Sequence, residues 1–381
     1  MAIYCTYFGI DSHLRTTTIC ALTPEDGELR TRTFRGNDYG EMAEWMAGFP
    51  QPSHGVYESG CTGFVPARML TRGDTLVEPV ASSKLPSSAD SRSRKNDRRD
   101  AERLARLALA GEVSPVWVPP EQVEGLRELA QAMDDLACVR EAARQRVNAI
   151  LCRHGISWDE RTPTGRLKKR WGQHFWNWLR SIDLGDAGSQ ATYLAALSAA
   201  ESAEVAYDEL RARAEGIARV SDLGPVIDAL MCVKGVGFSS ALAFAAEVGD
   251  FSRFASGRKV TSYFGLAPSE SSSAESRRLG RISRNGCALV RKLLIEGAWV
   301  LARGNPACRK RGGTSVPLAI REHARACSGR LLGRRRELAS RGPVPREANT
   351  ATAAEMARMP PHVGRDAQEA AALAAEVALV A

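Results

Sequence analysis

Apolar residues in the first eighty positions come in short runs and alternations, without the three-to-four-residue rhythm of a helix. Residues 3–11 (IYCTYFGID) form a nearly continuous apolar run that closes on an acid, and residues 16–22 and 28–34 continue as strands across a turn holding Pro24 and Gly27. The pattern then predicts a helix over 38–47, a strand over 55–58 that again ends in an acid, a helix over 64–71 and a strand over 75–80. A polar run, ASSKLPSSADSRSRKNDRRD, leads into a helix reaching Ala110. Three successive strands, followed by strands alternating with helices, predict an α/β domain with a mixed sheet over residues 1–115.

The period changes near Pro119. Val123, Leu126, Leu129, Ala130, Met133 and Leu136 recur at helical spacing, and the phase runs on through Val147, Ile150 and Leu151. A second, Ala-rich helix over 193–218 suits packing back on the first, so residues 116–220 read as a helical, coiled-coil spacer. Trp158, Trp171, Trp176 and Trp178 lie between the two helices, beside Lys168, Lys169 and Arg170. Such rings can stack on bases, but packing of the spacer is their simpler use. Beyond Gly224-Pro225, helices over 226–232 and 239–248 flank Lys234-Gly235-Val236-Gly237. This helix-hairpin-helix-like element opens a mainly helical domain, 221–345, that includes a serine-rich loop at 269–276 and a helix over 288–302. The remainder, 346–381, reads as a poorly ordered tail.

Charge narrows the field. Lys and Arg number 52 against 44 Asp and Glu, a net +8 that favours a polyanionic partner through counterion release. The nine cysteines form no CxxC pair and no cluster with zinc spacing, which points to a reducing cytoplasm. No basic leader precedes an apolar stretch, and no run of about 18 apolar residues predicts a membrane span.

The candidate chemistry lies in two places. Asp11 and Glu58 close two strands, while Asp97 and Asp100 stand three apart at a helix start and project from one face. Four such carboxylates are hard oxygen ligands suited to Mg²⁺ or Mn²⁺. Two ions about 3.5–4 Å apart can activate a nucleophile and stabilise a leaving oxygen in phosphodiester cleavage. Acids also favour helix starts for the macrodipole alone. His13 could assist this site but reads first as a surface histidine. Lys95, Arg98 and Arg99 are phosphate contacts or a solvated face. Lys234, Gly235 and Gly237 could bring backbone amides to a phosphate, although a turn between helices needs glycine in any case. The second place is the run Ser271, Ser272 and Ser273, followed by Arg277, Arg278, Arg281 and Arg284. A serine needs activation to act as a nucleophile, and arginines can stabilise charge developing on phosphate. On composition alone the run is a flexible loop.

The segments FGIDSH, VYES and KNDRRDAERLA resemble, in order, the three acidic motifs of a RuvC-like DEDD domain. The chain is similar to the IS110 family of insertion-sequence transposases, relatives of the Piv DNA invertases. That resemblance implies an RNase H-type fold and divalent-metal binding by Asp11, Glu58, Asp97 and Asp100. YFGLAPSESSSAESRRLGRISRNG resembles the family's second domain, with Gly265-Leu266-Ala267-Pro268 and Gly280-Arg281-Ile282-Ser283 fitting its pattern. The family's nucleophilic serine precedes a loop glycine, which carries over to Ser273, with Ser272 as the nearest competitor. Here Ala274 stands in place of that glycine, and Glu275-Ser276 in place of the usual Gly-Lys.

The resemblance further implies donor and target DNA as partners, a structured guide RNA, and a dimer or tetramer with composite sites. It places the protein in the bacterial cytoplasm, associated with the nucleoid. Two other readings are a junction-resolving, metal-dependent nuclease that uses water as nucleophile, and a decayed transposase that binds nucleic acid without cutting it.

Overall fold

Strand β1 (Thr6–Ser12) is buried on both faces over its first five residues, which is why its sequence reads as a run. In the computed structural model, which describes residues 4–86, 97–273, 276–302, 316–342, 345–358 and 360–380, this strand is central. It lies between β2 (Thr16–Thr23) and β4 (Ser53–Glu58), and β3 (Glu28–Arg35) and β5 (Thr75–Val80) form the edges of the five-stranded sheet. β1 and β2 are antiparallel, as are β2 and β3, whereas β4 and β5 run parallel to β1. The mixed sheet expected from the sequence is therefore present. Edge strand β3 is mostly exposed and carries three arginines among its eight residues, which discourages pairing with another chain.

The sheet has two packed faces. On one, Phe8, Ile10, Ile19, Phe34 and Tyr57 pack with Met42 and Met46 of α1 (Tyr39–Ala47) and Leu70 of α2 (Val65–Leu70). On the other, Tyr7, Val56 and Val80 meet Leu104 and Ala108 of α3 (Asp97–Ala110). A fully buried side chain of this size contributes about 1.5–3 kcal/mol.

Residues Met1–Pro119 form one unit and Pro120–Ala381 a second. The second begins with α4 (Glu121–Arg153), α5 (Gln173–Arg180) and α6 (Ala187–Val220). Arg144 of α4 forms a forked ion pair with Glu204 of α6, with Nη2 at 2.6 Å from Oε1. Four residues earlier, Arg140 lies over the ring of Tyr207, three residues later, so the two long helices run antiparallel. The tryptophan stretch serves packing: Trp158 is buried and meets Phe175 and Trp178 edge-on or tilted.

Next come α7 (Gly224–Met231), α8 (Phe238–Val248) and α9 (Gly257–Tyr263), the hairpin β6 (Pro268–Ser273) and β7 (Ser276–Ile282), and α10 (Ala288–Ala302). The unit ends with α11 (Leu318–Ser340), α12 (Pro345–Arg358) and α13 (Pro360–Val380).

Two sequence expectations change here. The spacer belongs to the same unit as the helices that come after it: Arg127 of α4 donates to the carbonyls of Ala246 and Glu247, at 2.9 Å each, at the end of α8. The segment read as a poorly ordered tail, 346–381, holds two packed helices, with Ala348, Ala353, Met356, Ala357 and Val363 buried. Small side chains hide this from a hydrophobic pattern yet allow close approach. At Gly364 an added Cβ would lie 2.5 Å from the ring of Phe251. Among the described residues, no helix is long and apolar enough to cross a membrane.

Candidate active site

Asp11 follows Tyr7 and Gly9 on the face of β1 that meets α3, by the strict alternation of a strand. Gly9 is what lets the helix come close. A Cβ there would lie 1.8 Å from the carbonyl oxygen of Ala101 and 2.4 Å from the amide nitrogen of Ala105. With the helix seated on the strand, its first turn, which carries Asp97 and Asp100, is delivered to the end of β1. Ligand atoms of Asp11, His13 and Asp97 lie within 4.8 Å of one another. Gly9→Ala is therefore expected to destabilise the N-terminal unit by about 3 kcal/mol, the upper range for overpacking, because backbone atoms cannot yield as a side chain would. Urea denaturation measures this. An unchanged midpoint would mean that α3 does not sit on β1 as described.

The electrostatics of this cluster favour a cation. Burial, above all, pushes the Asp11 carboxyl above its ordinary value; the neighbouring charges of Asp97 and Asp100 add to the rise, while His13 pulls the other way. His13 Nε2 is 3.2 Å from Asp11 Oδ2, an ion-pair distance. That oxygen is shut off from solvent and has no aligned hydrogen bond. A buried acceptor left without a well-aligned donor is unfavourable, and His13 meets this need only in part. A divalent ion would satisfy it and would offset the repulsion from the other two acids, so the residues present fit such a group.

Other expected residues divide. Glu58 is the last residue of β4, follows Val56 on the α3 face by alternation, and is exposed. It lies outside the three-residue cluster. Arg98 and Arg99 are exposed on the first turn of α3, and Lys95 falls outside the described residues. His13, read from the sequence as a surface residue, belongs to the cluster, and its signal was only its place two residues after Asp11. Gly9 carried no sequence signal of its role.

The serine run is a strand where a loop was expected. Ser271, Ser272 and Ser273 pair with Arg278, Arg277 and Ser276 across β6 and β7, so Ser273 is in the last pair before the turn. Ala274 and Glu275 fall outside the described residues. Serine runs lack the apolar alternation that marks a strand, but backbone pairing does not require it. The base of the hairpin is closely built. Gly265 and Gly286 both have positive φ, 64° and 76°, and an added Cβ would lie 2.0 Å from Asn285 O and 1.9 Å from Tyr263 O respectively. Arg291 of α10 donates from Nη1 to the carbonyls of Phe264, Asn285 and Gly286 at 2.9–3.1 Å, a brace the sequence did not reveal. Arg281 and Arg284 are exposed.

The glycine hairpin between α7 and α8 divides as well. The bare face of Gly235 is taken by packing, with a Cβ there 2.8 Å from Gly297 O. The backbone amide of Lys234 donates to Ser328 Oγ at 3.0 Å. Gly237, at the start of α8, faces open space.

Comparison with known proteins agrees with both halves. Residues 8–155 match a family model of DEDD transposases of the IS110 type, and residues 227–312 match one described as the transposase IS116/IS110/IS902 family. The y4qE transposase of Sinorhizobium fredii is 34% identical over 316 residues, 82% of this chain and 75% of the relative. The transposase for insertion sequence element IS1533 of Leptospira borgpetersenii is 26% identical over 67% of this chain and 72% of its own length. That for IS1111A of Coxiella burnetii is 27% identical over 56% of each chain. The family implies a divalent-metal site, which the carboxylate–histidine cluster suits. The chain belongs to the IS110 family of insertion-sequence transposases.

Proposed function

We infer that this transposase cuts and rejoins insertion-sequence DNA with Asp11, Asp97, Asp100 and Glu58 as the carboxylates of a Mg²⁺ or Mn²⁺ site and Ser273 as the nucleophile. The observation that carries the reading is the solvent-shielded oxygen of Asp11, which has no aligned hydrogen bond and lies beside Asp97 and His13. When bound, the ion supplies Lewis acidity toward phosphoryl oxygens. The imidazole of His13 adds a nitrogen donor, which suits Mn²⁺ better than Mg²⁺. The sheet of the N-terminal unit is then of RNase H type, and the open face of Gly237 at the start of α8 contacts the DNA backbone without reading sequence. Arg277, Arg278, Arg281 and Arg284 supply positive charge for the phosphate, and sequence choice rests on a structured RNA that pairs with donor and target.

The test is an assay on supercoiled plasmid carrying the element ends, with and without RNA transcribed from the DNA flanking the gene. Joined products that need both RNA and a divalent ion support the reading. Nicking without joining favours a junction-resolving nuclease that uses water, and binding without cleavage favours a decayed transposase.

A further inference from the structure

Far along the second unit, the C-terminal helices build a basic cleft of about 490 Å³. Arg258 comes from α9, Arg330 from α11, Arg358 from the end of α12 and His362 from α13, so four elements distant in sequence converge on one space. Glu355 is the one acid lining it among the described residues, and Arg358 Nη1 already engages Glu355 Oε1 at 3.0 Å. Arg330 donates to Cys327 Sγ at 3.7 Å, and neither it nor Arg258 has an acidic partner among the described residues. Two exposed arginines thus line the cleft with no acid in ion-pair contact among the described residues. An anion bound between such arginines would add favourable contacts with both.

We propose that this cleft is a second nucleic-acid site, holding a backbone phosphate by Arg258 and Arg330 and sharing no residue with the carboxylate cluster. Guanidinium matches phosphate in shape and charge and binds it by paired hydrogen bonds. Among the described residues no Phe, Tyr or Trp lines the cleft, so it offers nothing for a base to stack on. That favours a phosphate presented by a backbone over a bound nucleotide, and makes the contact independent of sequence. The proposal rests on the reading of the chain as a DNA-cutting transposase and deepens it, by giving the C-terminal helices a share in holding the substrate.

The experiment measures duplex affinity of the full chain as a function of salt. Each phosphate contact contributes roughly 0.9 to the slope of log affinity against log salt, so Arg258→Ala/Arg330→Ala, which gives up the one phosphate held in the cleft, should flatten it by about one. Arg258→Lys/Arg330→Lys, which preserves charge and guards against a folding defect, should keep the slope. A slope unchanged in the alanine variant overturns the proposal. So does a result in which inorganic phosphate raises the melting temperature of the wild type but not of the alanine variant while the slope stays the same, since the ligand is then free phosphate. Wild-type protein that binds no nucleic acid would instead defeat the wider functional reading.

Discussion

Asp11→Asn is expected to abolish strand cleavage while leaving the fold and nucleic-acid binding in place. The amide has the shape of the carboxylate but no charge, and the carboxyl it replaces is one that burial and the neighbouring Asp97 and Asp100 already disfavour as an anion. Losing that charge in the metal-free protein therefore carries no penalty in stability. Metal affinity and the charge stabilisation that depends on it are lost. Stabilisation of this kind is worth several kcal/mol, and about 4 kcal/mol corresponds to a fall of roughly 10³-fold in rate. Circular dichroism and duplex binding check that the variant is otherwise intact, and a plasmid-cleavage time course reads the effect. Cleavage at the wild-type rate would mean that the Asp11 carboxylate has no part in the chemistry.

Ser273→Ala is expected to remove a covalent protein–DNA adduct altogether. Rejoining strands without an external energy source requires the phosphodiester energy to be kept in a covalent link. In the proposed step Ser273 Oγ attacks phosphorus, a serine–phosphate bond forms at the 5′ end and the bond to the 3′ oxygen breaks. The serine proton is taken up by a base and the departing 3′ oxygen receives one, so the total charge is conserved. The reverse attack by a new 3′ hydroxyl then seals the strand. A hydroxyl near neutral pH is almost wholly protonated, so an activating group must come within about 3 Å in the reacting state. A substrate with a nick beside the cleavage point traps the intermediate as a protease-sensitive, slowly migrating species. The wild type should give it with Mg²⁺ or Mn²⁺ present and lose it with chelator, and Asp11→Asn should give none. An adduct that survives in Ser273→Ala and disappears in Ser272→Ala moves the nucleophile by one residue. Recombination with no adduct under any condition removes the serine mechanism and returns the choice to water.

The legible part of this protein was the part written in local pattern. The run at β1, the alternation of strands and helices to residue 110 and the long stripe from Val123 to Leu151 follow from which positions must be apolar, and the structure has all three. The acids at Asp11 and Asp97 were visible because their elements end or begin there. Glu58 was visible in the same way, but the structure leaves it exposed and outside the cluster of three. The serine strand and the last two helices were missed for one physical reason. Backbone pairing and close packing of alanine and glycine leave no hydrophobic period to read.

By itself the sequence determined the order of elements as far as residue 110, the mixed sheet with a mostly helical remainder, and the family to which the comparisons assign the chain. Tertiary structure alone decided three things. It drew Asp97 to Asp11 and His13, because the bare Cα of Gly9 admits α3 against β1. It set Gly235 against Gly297, so that this glycine serves packing and only Gly237 remains open. It brought arginines from α9, α11 and α12 around one cleft. Each is a meeting of residues far apart in the chain. Local propensity carries no information about such meetings, because the distances that matter are set by which faces are buried against each other.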